Sequence, residues 1–160
     1  GTGDLVKQPD EDNAEFLIPA GASGHIEENT WTWKLPNGDI SIYGMGTHMH
    51  LSGRDERVTV DHTAPTAEEG DSECLIETPH WDFNWQRGYG YNAPLDQLST
   101  FHDGDTLHIR CVYDNTLDNP AIAQALGARD LDQPIDIRLG EDTLDEMCLT
   151  AVGIEYPNVQ

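Results

Sequence analysis

Turn residues cut this chain into short extended runs, and that punctuation limits its fold more than any other feature. Pro36-Asn37-Gly38-Asp39, Ser52-Gly53, Arg87-Gly88 and Asp103-Gly104-Asp105 each interrupt strand-forming sequence. Gly tolerates positive φ, Pro presets φ, and Asn and Asp bond their own backbone, so such clusters turn the chain. Between them, residues 15–19, 25–35, 39–51, 57–62, 74–77, 106–113, 134–139 and 147–156 read as strands, and 94–101 as a short extended piece. Trp81-Asp82-Phe83-Asn84-Trp85-Gln86 alternates strictly between aromatic and polar, which predicts a half-buried strand with its three aromatics in the core. One helix is expected: Asn119 as cap, Pro120 in the first position, and Gly127 after Leu126. Many short strands at close spacing predict an all-β fold, a jelly-roll-like antiparallel β-sandwich.

A chain of 160 residues is long enough for one domain with a real core. Residues 1–13 are polar and acidic and read as a flexible linker, with the domain spanning 14–160. Thirty Asp and Glu oppose eight Lys and Arg, a formal net charge of -22. Phosphate backbones and anionic membranes need clustered basic residues, so neither nucleic acid nor such a membrane is an expected partner. The acidity reads as a solvated, self-repelling surface. No D-x-[DN]-x-[DN]-G loop is present to hold Ca²⁺. No apolar run reaches the length of a membrane span, and no signal peptide is visible. The chain opens on Gly1 without an initiator Met, which suggests a piece of a longer polypeptide.

Chemistry concentrates in Gly46-Thr47-His48-Met49-His50-Leu51. On a strand, His48 and His50 project from one face and Met49 from the other, so both imidazoles can reach one metal ion. The remaining histidines have no spacing relation to that pair. His25, His62, His102 and His108 read as ordinary surface or half-buried histidines, and His80 as a partly exposed strand-end histidine. Cys74, Cys111 and Cys148 form no C-x-x-C, which disfavours a structural zinc knot. One disulfide plus one spare thiol is the simplest arithmetic.

The H-x-H run, the Trp81–Gln86 run, Gly104-Asp105 with Cys111-Val112-Tyr113-Asp114-Asn115, and Asp145-Glu146-Met147-Cys148 occur in that order. Together with Ile18-Pro19-Ala20-Gly21 they resemble the C-terminal domain of the copper type II, ascorbate-dependent monooxygenases. That family includes the peptidylglycine alpha-hydroxylating and dopamine beta-monooxygenases, and the likeness is nearest to bacterial relatives. It runs from about Phe16 to Tyr156. The resemblance implies one copper held by His48, His50 and Met147, with a fourth position open to dioxygen. Imidazole and thioether donors suit copper, and Cu(I) in particular. It also implies a Cys111–Cys148 disulfide, and with it an extracellular or periplasmic setting. Cys74 is then left as a buried free thiol or as the partner of a segment outside the chain.

The family's peptide-hydroxylating members anchor a substrate carboxylate with an Arg two residues before the first ligand histidine, and with an Asn and a Tyr two and four after the ligand Met. Here those positions are Gly46, Leu149 and Ala151, so a peptide carboxylate finds no charged anchor. The resemblance implies half an enzyme, the oxygen-activating copper domain. It needs a three-histidine N-terminal copper domain as partner, ascorbate or another one-electron donor, and a small-molecule substrate. The alternative is a non-catalytic secreted module that stores, carries or senses copper.

Overall fold

A computed structural model describes residues 16–36, 38–66 and 70–156. The linker expected at 1–13 lies outside the described residues, as does Asn37 of the first turn. In chain order the elements are β1 (Leu17–Ile18), β2 (Ser23–Thr32), β3 (Ile40–His48), β4 (Gly53–Asp61), β5 (Ser72–Thr78), β6 (Gly88–Gly90), β7 (Thr100–Phe101), β8 (Thr106–Asp114), α1 (Pro120–Gly127), β9 (Ile137–Arg138) and β10 (Leu149–Glu155). One sheet runs β2-β8-β4-β5. The other runs β10-β3-β6, with β7 also on β3, and β1 pairs with β9. Every strand pair is antiparallel. The two sheets pack on each other, and the all-β sandwich expected from the turn spacing is the observed fold.

The core follows from alternation. Val58 and Val60 on β4, Leu107 on β8 and Leu75 on β5 meet Ile40, Ile42 and Met45 from β3 in one cluster. Full burial of each such side chain contributes about 1.5–3 kcal/mol. The pairing of β3 with β10 shifts register between Gly153 and Ile154, opposite Ile42 and Gly44. That bulge changes which parity faces the core: Ile40 and Ile42 point inward before it, Met45 after it. Gly44, Gly46 and His48 therefore share the outer face of β3. A second cluster surrounds the Cys111–Cys148 disulfide and holds Met49, Trp81, Tyr113 and the α1 residues Ile122 and Leu126.

The helix forms where its signals sit. The Asn119 side chain accepts the N–H of Ala121, and Pro120 opens the helix. Asn119 also donates to the carbonyls of Leu51 and Asp114, fixing α1 beside the segment that carries His50.

The Trp81–Gln86 segment corrects the expectation of a strand. Trp81 alone is buried, and Phe83–Trp85 form a 3-10 turn. The Asp82 side chain accepts the Asn84 N–H, and the Asp82 carbonyl accepts that of Trp85, so local hydrogen bonds override the alternating pattern. Phe83 and Trp85 are 40% and 61% exposed rather than in the core. Cys74 is another correction: it is a free thiol among the described residues, but an exposed one.

Candidate metal centre

His48 closes β3 and His50 lies just past it, in the turn that leads into β4. The H-x-H thus straddles the strand end rather than sitting within it, yet the two rings lie 5.3 Å apart between centroids. The turn is tight. A Cβ at Gly53 would come within 2.7 Å of the Trp81 ring and 2.8 Å of Met49 Cβ, so only glycine lets β4 start there.

Both imidazoles are held in a defined tautomer. His48 Nδ1 lies 2.6 Å from Gln86 Oε1, and the Gln86 amide is oriented by donating its Nε2 to the Phe83 carbonyl. His50 Nδ1 lies 2.9 Å from the Asp145 carbonyl oxygen. Neither oxygen has a proton to give, so each Nδ1 donates and each Nε2 keeps its lone pair for a ligand bond. Groups behind a ligand histidine set its orientation and basicity in this way. The 3-10 turn that replaces the expected strand is what brings Gln86 to His48, and it places the Phe83 ring edge-on to His50 at 5.9 Å.

The backbone around His50 is equally constrained. Its carbonyl accepts Trp81 Nε1, and its N–H donates to Glu146 Oε2 at 2.6 Å. Glu146 is fully buried and also accepts the N–H and hydroxyl of Ser52 and the N–H of Met147. Burial pushes its carboxyl above the usual range, against those hydrogen bonds. Met147 is half-buried, two residues ahead of Leu149, which pairs with His48 across the β10–β3 ladder. Its carbonyl accepts the Tyr113 hydroxyl at 2.8 Å. Next to it, the Cys111–Cys148 disulfide ties the entry of β10 to β8, joining the two sheets.

Glu56 and Glu146 were not visible as site residues in the sequence. Glu56 is fully buried, and its Oε2 accepts the His48 N–H at 3.0 Å. Burial is the main cause that raises its carboxyl to about 8, the His48 bond opposes this, and the nearby Asp55 charge adds to it. Alternation offered the signal, since Glu56 shares the core face of Val58 and Val60. His80 is exposed.

Beside His48, the outer face of the β10-β3-β6 sheet forms a shallow groove. It is floored by Gly44, Gly46, Gly88, Gly90, Gly153 and Ala151 and lined also by Tyr43 and Tyr89. No charged residue lines it.

Two fixed imidazoles thus lie at one end of a β-sandwich, and Glu146 joins the backbone of His50 to that of Met147. The chain matches the family described as copper type II ascorbate-dependent monooxygenase, C-terminal domain, over residues 18–156, and it belongs to that family. A comparison with curated proteins found no match. Among the described residues no helix is long and apolar enough to cross a membrane.

Proposed function

We propose that this chain is the oxygen-activating half of a two-copper, ascorbate-dependent monooxygenase, and that His48, His50 and Met147 hold its copper. The observation that carries the reading is the shared tautomer. Both histidines spend Nδ1–H on a carbonyl oxygen, which leaves two Nε2 lone pairs at one strand end. Two imidazoles and a thioether form a soft, three-donor set that suits copper better than Zn²⁺ or Mg²⁺. Copper in that set supplies one-electron chemistry for activating dioxygen toward a substrate C–H bond. The chain's own residues orient and tune. Gln86 and the Asp145 carbonyl fix the rings, while Glu146 ties the backbones of His50 and Met147 to one carboxylate.

The groove beside His48 receives the substrate. With glycine floor and tyrosine sides and no charged lining, it favours an uncharged, largely apolar molecule over a peptide carboxylate. The second copper belongs to a three-histidine domain of the parent polypeptide or of a partner chain, and ascorbate or another one-electron donor reduces the pair. The disulfide suits an extracellular or periplasmic setting.

Titrating Cu(I) against a competing chelator tests the ligand set. Wild type binds one equivalent, and Met147→Ala binds more weakly by at least tenfold. Equal binding by both, or binding by neither, rejects the site.

A further inference from the structure

A cluster of ionisable side chains lies at the end of the sandwich away from the metal centre. His62 follows β4, His102 follows β7, and Asp105 precedes β8. Phe101, next to His102, pairs with Ile40 at the start of β3, whereas His48 ends that strand. Eight residues of strand rise separate the two ends by about 25 Å. One ring nitrogen or carboxylate oxygen from each of His62, His102 and Asp105 lies within 4.8 Å of the others.

The side chains of His62 and Asp105 are completely buried. Asp105 Oδ2 lies 2.8 Å from His62 Nδ1 and accepts the His102 N–H, while Oδ1 accepts the Thr63 N–H. Burial acts to raise the Asp105 carboxyl, but these hydrogen bonds hold it below the usual range, so it is an anion with no proton to give. His62 Nδ1 therefore donates. The other ring nitrogen, Nε2, is buried and has no hydrogen-bond partner. It faces Glu73 Oε2, on β5, at 4.0 Å. That gap is too long for a hydrogen bond but within reach of an ion pair. The neighbouring His102 ring, 6.0 Å from that of His62 between centroids, has its Nδ1 3.0 Å from Asp39 Oδ2. Asp61, next to His62 in the chain, lies 2.9 Å from His108 Nε2.

The two carboxylates that flank His62 grip β7 from both ends. Glu73 Oε1 accepts the hydroxyl of Ser99, just before β7, and Asp105 accepts the N–H of His102, just after it. β7 pairs with β3 in the other sheet, and the Ser99 carbonyl accepts the Ile42 N–H of that strand.

We propose that His62 is a proton-operated latch that fastens β7, and through it the second sheet, to the sheet of β4 and β5. With both ring nitrogens protonated, the imidazolium bridges the carboxylates of Asp105 and Glu73. With Nε2 deprotonated, its lone pair faces a carboxylate oxygen, two acceptors with no hydrogen between them. Opening releases one proton to solvent. A histidine holds its second proton at lower pH, so the latch is closed on the acid side and opens as pH rises. The Cys111–Cys148 bond keeps the other end of the sandwich joined throughout.

The test follows the metal-free full chain by NMR from about pH 5 to 9. The ¹⁵N signals of the His62 ring, assigned through its own backbone, report its protonation. Amide hydrogen exchange of Ile42 reports the hold on β7, with Ala123 of α1 as control. Protection of Ile42 should fall at least tenfold as His62 loses its second proton, while that of Ala123 stays level. Glu73→Gln separates this from other titrations. Its amide oxygen can still accept from Ser99, and its NH₂ can donate to the neutral Nε2, so protection of Ile42 should become independent of pH. Three results overturn the proposal: a His62 ring that keeps one protonation form throughout, Ile42 protection unchanged across its titration, or the full tenfold fall persisting in Glu73→Gln.

Discussion

Glu146 Oε2 accepts the backbone N–H of His50 at 2.6 Å, across 96 positions of sequence. The same oxygen accepts the N–H of Met147 at 3.0 Å, and the other oxygen takes two hydrogen bonds from Ser52. One buried side chain thus sets the spacing of the two chain segments that carry the proposed ligands.

Removing it has a structural and a ligand-binding consequence. Glu146→Ala strands two buried backbone N–H groups, of His50 and Ser52, and the part-buried one of Met147, each costing about 1–3 kcal/mol. Urea unfolding should record a loss of at least about 3 kcal/mol. Under conditions where the variant stays folded, Cu(I) affinity should fall by about 10–100-fold, as for other supporting groups behind metal ligands. Unchanged stability would mean that Glu146 does not bear the segment.

The disulfide closes a loop between residues 37 positions apart. Chain-entropy reasoning gives about 4 kcal/mol for a loop of that size. Cys111→Ala with Cys148→Ala should lower unfolding stability by about 2–4 kcal/mol in urea. The copper affinity of the folded fraction should drop as well, because Cys148 adjoins Met147. A variant as stable as the oxidised protein would argue against a structural bond.

Glu56 predicts a pH effect in the metal-free protein. Its carboxyl titrates near 8 in the folded chain, against an ordinary value of 4.5. Between those values the folded state holds a proton that the unfolded state has lost. The contribution of this group to stability is therefore fully present below about 4.5 and is lost as pH rises towards 8, by up to about 1.4 kcal/mol per pH unit. Glu146, shifted in the same direction, adds to the trend. Glu56→Gln should reduce the slope of stability against pH measured by urea unfolding from pH 5 to 8. An identical slope would place the titration elsewhere.

Much of this molecule was legible in its residues because local chemistry and tertiary packing agree. Asn119, Pro120 and Gly127 mark α1, and the Leu107, Ile109 and Cys111 parity marks β8. The segment from Trp81 to Gln86 was misread because aromatic/polar alternation also fits a capped 3-10 turn; Asp82 decides the matter with a hydrogen bond that no periodicity reveals. Cys74, expected as a buried free thiol or as the partner of a segment outside the chain, lies exposed on β5, the edge strand of its sheet. The cluster of His62, His102 and Asp105 was illegible for another reason. It is assembled from the ends of three strands, and His62, read as an ordinary surface or half-buried histidine, is fully buried. Glu56 and Glu146 lie in acidic sequence, where two buried carboxylates do not stand out among thirty acidic residues.

The ligand set at the end of β3 is open to direct inspection by X-ray absorption at the copper edge. The Cu(I)-loaded chain should give scattering from two imidazole nitrogens and one sulfur. The sulfur shell should vanish in Met147→Ala while the imidazole shells remain. A wild-type spectrum without a sulfur neighbour, or a sulfur shell that survives Met147→Ala, would contradict the account.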